Sequence, residues 1–198
     1  VKTRQTLRHG PEKPIVLYCG QVGRAGEALQ EIVAALNELK QDVYFISRQH
    51  ERMATDASDQ MSYWQAALAD FKGGTLIKDT SAVDTASLLA SADVILSMYS
   101  MVLIEAAVLR KQSIAVLYPN VGMQQFLVET GGIISEFPLV KLGCTVKASS
   151  RQELTDALYA ALSRGLELEA NQSRYFSIDG KNTRRVVELL FYAANNRF

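Results

Sequence analysis

The sequence predicts an α/β protein built on a three-layer, doubly wound parallel sheet of the Rossmann-like type, with about six strands and helices on both faces. Two observations lead to this prediction. Short, uninterrupted apolar runs, typical of strands buried on both faces, alternate along the chain with segments of helical periodicity. Turns that contain glycine, proline or serine separate these segments. Because strand–helix–strand connections are right-handed, this alternation favours a parallel sheet covered by helices on both sides.

The individual elements can be assigned in order along the chain. The first strand is the apolar run Ile15–Cys19, and a glycine-spaced loop over 20–26 leads into a helix over 25–40. Further strands are predicted over 42–47, 75–77, 93–97, 113–118 and 144–146, and further helices over 58–71, 84–91, 101–110, 123–130, 150–162 and 182–194. Ser150 and Glu153 have the spacing of a capping box. Residues 1–13 are polar and aperiodic, so we expect a linker or disordered segment there and a single domain with a C-terminal helix over 14–198.

Composition excludes several classes of function. Lys+Arg and Asp+Glu both number 21, and the resulting zero net charge argues against binding to nucleic acid or to acidic lipid. With two cysteines, no CxxC motif and two histidines, a metal site is not expected, and Cys19 and Cys144 are interpreted as reduced thiols. No apolar run approaches the roughly 20 residues of a transmembrane helix. We therefore expect a cytoplasmic protein.

The loops that follow the strands contain the candidate binding residues, because ligands of such sheets bind at the carboxyl ends of the strands. Gly20, Gln21, Gly23 and Arg24 follow the first strand and precede a helix. Glycines let the backbone approach a phosphate, the helix N-terminus offers free N–H groups, and Arg24 adds a positive charge. The alternative is a tight turn whose glycines only permit close packing.

A second candidate group follows the strand over 93–97. Ser97, Tyr99 and Ser100 lead into a helix, and Ser100 occupies the N-cap position, where a hydroxyl caps the helix or binds a phosphate. Glu105 lies about one and a half turns into an otherwise apolar helix. A carboxylate there needs a partner, and a ribose diol would supply two hydroxyl donors. The alternative is a glutamate on the solvent side of the helix.

Three further polar residues are weaker candidates. Arg48 and His50 follow the second strand. Arg48 could contact a phosphate and His50 could transfer a proton, and these two are the candidates for a catalytic role, which is otherwise left unassigned. Gln124 begins the helix predicted over 123–130, and its amide suits sugar hydroxyls because it both donates and accepts hydrogen bonds.

The string ADVILS over 92–97, with Tyr99-Ser100 and Glu105-Ala106-Ala107 after it, resembles a signature of the carboxyl-terminal domain of GT-B fold glycosyltransferases. UDP-N-acetylglucosamine 2-epimerases and CDP-glycerol glycerophosphotransferases share that domain. The likeness extends over roughly residues 14–190, by pattern more than by identity.

This resemblance implies a donor-binding domain for a nucleoside diphosphate sugar, most simply a UDP-sugar, as substrate and with no separate cofactor. It implies that Glu105 holds the ribose, that residues 97–100 lie by the diphosphate, and that the loop from Gly20 to Gly23 faces the diphosphate or the acceptor. It further implies that the base packs against residues 77–83 and that Gln124 lies near the donor sugar. In this family a separate amino-terminal domain binds the acceptor, so the chain alone is expected to bind a nucleotide sugar without turnover, and to need that domain or a partner subunit.

Two other functions fit parts of the sequence. Gly20, Gly23 and Gly26 match a variant of the dinucleotide-binding loop, and Arg48 after the second strand could hold a 2′-phosphate, which would suit an NADP-dependent oxidoreductase. That interpretation leaves Ser100 and Glu105 unexplained, and the sequence has no Tyr-x-x-x-Lys pair for proton relay. The third possibility is a non-catalytic regulatory or partner-binding domain.

Overall fold

The computed structural model describes residues 13–176, 179–181 and 183–188. Residues 1–12 of the predicted linker lie outside this part of the chain. Of the C-terminal helix predicted over 182–194, residues 183–188 are helical, and the others lie outside the described residues.

Six strands form one parallel sheet, as predicted. They are β1 (Ile15–Cys19), β2 (Val43–Arg48), β3 (Gly74–Ile77), β4 (Val94–Ser97), β5 (Gln112–Val116) and β6 (Val146–Ala148). Their spatial order is β3-β2-β1-β4-β5-β6, and every neighbouring pair is parallel. This is the order of the dinucleotide-binding Rossmann fold, so the predicted fold class is confirmed.

Helices connect and cover these strands. In the described part of the chain they are α1 (Ala25–Glu38), α2 (Met53–Asp56), α3 (Asp59–Ala69), α4 (Thr85–Ser91), α5 (Met101–Val108), a π-helical turn (Pro119–Met123) continuing into α6 (Gln124–Glu129), α7 (Pro138–Lys141), α8 (Arg151–Ser163) and α9 (Glu169–Tyr175). None of the helices described is long and apolar enough to cross a bilayer.

The core has two halves, one on each face of the sheet. Side chains alternate along β1, so that Val16 and Tyr18 point to one face while Ile15, Leu17 and Cys19 point to the other. The first face is covered by α1, α3 and α8, and the second by α4, α5 and α7. Every residue of β1 is buried because the strand lies at the centre of the sheet.

The structure differs from the prediction in a few elements. The last strand begins at Val146, two residues later than predicted, because Cys144 closes the turn after α7 with its N–H bonded to Leu139 O (2.9 Å). Helices α2, α7 and α9 were not predicted. Half of the predicted capping box is present: Ser150 Oγ accepts a hydrogen bond from Glu153 N (3.2 Å), but the Glu153 carboxylate accepts one from Ser149 N (2.7 Å), one residue before the N-cap.

Candidate functional site

The strand order reverses between β1 and β4, and this point of the sheet positions the candidate residues. From β1 the chain passes to β2 on one side, and β4 continues to β5 on the other. Helix α1 leaves β1 over one face of the sheet and α5 leaves β4 over the opposite face. The two loops therefore diverge and leave a crevice at the carboxyl ends of the strands, where ligands bind in such folds.

Three long-range hydrogen bonds hold the loops around this crevice. Ser97 Oγ donates to Cys19 O (2.7 Å), Tyr99 N donates to the Gln21 side-chain oxygen (3.0 Å), and Arg24 donates to the Gln124 side-chain oxygen (2.6 Å). The loops after β1, β4 and β5, which the sequence analysis treated as separate candidates, are thus brought together as one assembly.

Arg24 acts within this assembly as a positioning group. It adopts a left-handed backbone conformation (φ 54°) at the start of α1, and its guanidinium forms an ion pair with Glu27 (2.9 Å) as well as the bond to Gln124. Both contacts keep the side chain at the edge of the crevice. The predicted contact with a phosphate would have to be made in addition to these protein contacts.

The glycines of the first loop pack closely against neighbouring side chains. A Cβ atom at Gly20 would lie 2.6 Å from the ring of Trp64, and one at Gly26 would collide with the backbone of Gln60. At Gly23 it would lie 3.0 Å from the amide of Gln125. None of the three has a positive φ. Close packing therefore explains why positions 20 and 26 are glycines. A phosphate nearby is not needed for this explanation.

The two serines after β4 have different roles. Ser97 is fully buried, and its hydroxyl joins the ends of β4 and β1 through Cys19 O. Ser100 is half-buried and caps α5, with its Oγ accepting a hydrogen bond from Val102 N (3.3 Å). The predicted N-cap is therefore present, and Ser100 is the serine whose hydroxyl lies at the mouth of the crevice.

Glu105 and Arg48 both lie close to Cys19, at the end of β1. Burial raises the pKa of the Cys19 thiol to about 12; the positive charge of Arg48 opposes this rise and the negative charge of Glu105 adds to it. The opposite effects show that both charges are near the same sulfur. Glu105 is exposed, and its carboxylate makes no hydrogen bond or ion pair with the described residues. Its exposure fits the alternative of a glutamate on the solvent side of the helix, and its lack of a partner leaves it open to a ligand.

Arg48 also fixes the segment that follows β3. Its guanidinium donates to Val83 O (2.9 Å), at the end of the stretch 77–83 that the family resemblance assigns to the base. His50, in contrast, is exposed, and its Nδ1 accepts a hydrogen bond from Arg52 N (3.2 Å). Among the described residues, no carboxylate is hydrogen-bonded or ion-paired to His50.

Tyr99 and Gln124 border the crevice on the side of α6. The Tyr99 ring packs edge-on against Phe126, with ring centroids 5.4 Å apart. Its buried hydroxyl has no hydrogen bond within the described residues, and burial together with the nearby Glu129 carboxylate raises its pKa. Gln124 is exposed, and its amide nitrogen remains available while its oxygen accepts from Arg24. Gln124 is therefore anchored at the rim.

Two participants were missed at the sequence level. Cys19 was treated only as a buried thiol, yet the charges of Arg48 and Glu105 both act on its pKa. Glu27 was not considered, although its position three residues after Arg24 in the first turn of a helix is a signal for an ion pair. In the described part of the chain, no cluster of three or more histidine, cysteine or acidic side chains could hold a metal ion.

No protein-family model matches this sequence, and neither does any curated protein. Solved structures share its fold. UDP-GlcNAc 2-epimerase from Neisseria meningitidis, bound to UDP-GlcNAc, has a TM-score of 0.63 and 16% identity, with 97% of this chain and 50% of that chain covered. The wall teichoic acid polymerase TagF has a TM-score of 0.61 and 14% identity, with 96% and 46% covered. MurG of Acinetobacter baumannii has a TM-score of 0.56 and 18% identity, with 94% and 52% covered.

The chain spans about half the length of each of these structures. They are members of the groups that the ADVILS segment resembles, so the resemblance is confirmed at the level of the fold. The chain has the Rossmann-like fold of one half of GT-B glycosyltransferases and epimerases.

Proposed function

We propose that this chain is the donor-binding half of a GT-B glycosyltransferase-like protein and binds a nucleoside diphosphate sugar in the crevice between β1 and β4. The observation that carries the proposal is the unpaired Glu105 carboxylate in the second turn of α5, whose charge, like that of Arg48, acts on the pKa of Cys19 at the end of β1. A nucleotide needs these groups: a cation and free N–H groups for the diphosphate, and a carboxylate for the ribose hydroxyls.

The diphosphate is proposed to lie between the first loop and the start of α5. The partial positive charge at the start of α5 favours an anion here. Val102 N already donates to Ser100 Oγ and Leu103 N to Ser100 O, so the diphosphate is proposed to bind the remaining N–H groups and the Ser100 hydroxyl. Arg24 and Gln124 close the rim through their mutual hydrogen bond. Ser97 is buried, and its hydrogen bond to Cys19 O joins the ends of β4 and β1.

The nucleoside is proposed to extend from there past Glu105 toward residues 77–83. Arg48 donates a hydrogen bond to Val83 O at the end of this segment. This bond holds the segment in a fixed position relative to the end of β2. The epimerase that shares the fold was solved bound to UDP-GlcNAc, which supports a UDP-sugar as the ligand.

Transfer of the sugar is proposed to need a second domain or subunit. Positive groups and helix N-termini on this chain would stabilise the departing diphosphate. His50 is exposed and accepts a hydrogen bond from Arg52 N, and no other candidate for a catalytic base was identified in the sequence. The acceptor and the base that activates it are therefore assigned to the partner half, in keeping with the half-length match to the solved structures.

The proposal is tested by calorimetric titration of the chain with UDP, CDP and NADPH. We expect UDP to bind, and Glu105→Gln to weaken that binding by about tenfold or more, since hydrogen bonds to a charged group contribute about 1.5–3 kcal/mol. Glu169→Gln, which alters an exposed carboxylate in the first turn of α9, is the matched control and should bind UDP normally.

Three outcomes would contradict the proposal or part of it. Equal affinity of wild type and Glu105→Gln for UDP would remove the ribose assignment. Selective binding of NADPH would favour the oxidoreductase. A well-folded chain that binds none of the three nucleotides would favour a regulatory or partner-binding domain.

A further inference from the structure

The N-terminus of α1 receives its hydrogen-bond acceptor from another helix. The residue at the N-cap, Arg24, has no acceptor atom in its side chain and makes no capping hydrogen bond. The acceptor is Gln60 of α3, whose Oε1 accepts from Gly26 N (3.1 Å) and, more weakly, from Glu27 N (3.5 Å). Two of the N–H groups that the start of a helix leaves without intrahelical partners are thereby satisfied from within the protein.

Gln60 is held in this position by burial and by a second hydrogen bond. It is 4% exposed, and its Nε2 donates to the Asp59 carboxylate (3.0 Å). Because a carboxylate only accepts, this bond fixes the amide nitrogen on Asp59 and leaves the amide oxygen for α1. The backbone of α3 also lies close, since a Cβ atom at Gly26 would be 2.4 Å from Gln60 O. A ligand could reach the two N–H groups only by displacing a buried side chain.

The start of the helix after the first strand is the place where a dinucleotide-binding Rossmann fold holds the pyrophosphate of its ligand. The strand order of this sheet is that of the dinucleotide fold, and the glycine spacing of the first loop matches a variant of its motif. In this chain the N–H groups at that place are bonded to an amide oxygen of the protein itself.

The caps of α1 and α5 differ in what they offer to a phosphate. The cap of α5 is the hydroxyl of Ser100, which accepts from Val102 N and can still donate its own hydrogen to a phosphate oxygen. The cap of α1 is the oxygen of Gln60, which can only accept, as phosphate oxygens do. Ser100 is also half-buried, whereas Gln60 is buried. The start of α5 can therefore be capped and bind a phosphate at once, and the start of α1 cannot.

The charges around the start of α1 also disfavour an anion. The Asp59 carboxylate, which bonds to Gln60, brings one negative charge to it, and Glu27 adds another in the first turn. Arg24, the cation of this loop, is paired with Glu27 and bonded to Gln124. The first turn of α5, in contrast, contains no acidic residue. The partial positive charge of α1 is thus compensated by the protein, and that of α5 is not compensated by an acidic residue of its own first turn.

We propose that Gln60 is a specificity-determining residue: it occupies the phosphate position at the start of α1, excludes dinucleotides such as NADPH, and leaves the start of α5 for the diphosphate of a nucleotide sugar. The last part rests on the proposed function, whereas the exclusion of a pyrophosphate from α1 does not.

The exclusion is tested by NMR of the full chain, with sodium pyrophosphate and NADPH as the probes and without UDP. In wild type we expect the amide signals of Gly26 and Glu27 to stay unchanged. Saturable shifts of these two signals with either probe would show that a phosphate reaches α1 and would overturn the proposal. This measurement needs no variant, so it decides the question even if a substitution at Gln60 impairs folding.

Gln60→Ala removes the acceptor and frees both N–H groups. We expect pyrophosphate to cause saturable shifts of Gly26 and Glu27 in this variant. Gln60→Glu keeps an acceptor and adds a negative charge, so these signals should stay unchanged, as in wild type. Gln30→Ala is the matched control, because Gln30 is an exposed glutamine of α1 whose side chain makes no hydrogen bond with the described residues. A folded Gln60→Ala that loses stability without gaining these shifts would show a purely structural role and refute the specificity role.

The same signals are followed during a titration of wild type with UDP. Saturable shifts of Ser100 and Val102, with Gly26 and Glu27 unchanged, support both the specificity role and the proposed function. Shifts of Gly26 and Glu27 on addition of UDP would overturn the specificity role and leave a nucleotide site in place. No shift at all with UDP would remove the proposed function, and the comparison of Gln60→Ala with wild type in pyrophosphate would still decide the role of Gln60.

Discussion

The replacement Gly20→Ala tests what the first loop requires of its glycines. The new Cβ would lie 2.6 Å from one carbon of the Trp64 ring and 2.9 Å from another, about 1 Å short of the separation of about 3.5–4.0 Å at which carbon atoms pack best. Trp64 is buried and stacked on Tyr18, so the overlap must be relieved by moving the loop or the core. Such overpacking costs about 1–3 kcal/mol.

Thermal unfolding followed by circular dichroism measures this cost. For a domain of this size, about 1 kcal/mol lowers Tm by about 2–4 °C, so we expect a decrease of about 2–12 °C for Gly20→Ala. Gly23→Ala is the matched control from the same loop. Its Cβ would meet the end of the Gln125 side chain at 3.0 Å, which can rotate away, so stability should change by no more than about 0.5 kcal/mol.

The two variants also separate packing from ligand binding. If Gly20→Ala melts at the wild-type temperature, Trp64 yields more readily than its packing indicates and the steric reasoning is refuted. If both variants keep their stability but lose affinity for UDP to the same extent, the glycines are needed for the phosphate and not for the core.

Three further predictions concern the residues around the crevice. Ser97→Ala leaves the buried Cys19 carbonyl without its donor and should lower the free energy of unfolding in urea by about 1–3 kcal/mol; an unchanged urea midpoint would contradict this. Ser100→Ala removes the cap of α5 and should cost about 1 kcal/mol in the same assay, while also weakening UDP binding; loss of stability with full UDP affinity would exclude Ser100 from the nucleotide site. The folded state keeps the Cys19 proton up to about pH 12 whereas the unfolded chain loses it near 9.0, so the free energy of unfolding should fall as the pH rises between these values, and should fall less in Cys19→Ala; parallel pH profiles would refute the shift.

The sheet could be predicted from the sequence because its signal is local. Uninterrupted apolar runs such as Ile15–Cys19 are typical of strands buried on both faces, and they remain legible without knowledge of their neighbours. Helix α9 shows the limit. Its sequence is almost entirely polar, and it is anchored through Gln172, whose buried amide donates to Lys111 O (3.0 Å) and Cys144 O (3.1 Å). An apolar pattern cannot reveal a helix that docks by hydrogen bonds.

The candidate site was predictable in position but not in its contacts. Parallel strands end at one edge of the sheet, which is why the sequence by itself places Gly20 and Ser100 at the same edge. The partners of each side chain depend on residues far along the chain. Arg24 was expected to face a phosphate, yet it bonds to Gln124, 100 residues away. Ser97 was grouped with the diphosphate, yet it is buried against Cys19 O. Local spacing does not contain this information.

The bonds from Ser97 to Cys19, from Tyr99 to Gln21 and from Arg24 to Gln124 join positions 78, 78 and 100 residues apart. Contacts of such high sequence separation close large loops, and closing them costs chain entropy. A fragment containing only the first strand–helix–strand unit would therefore carry the glycine loop but none of the three partners that these bonds bring to it. The candidate site is therefore a property of the completed sheet.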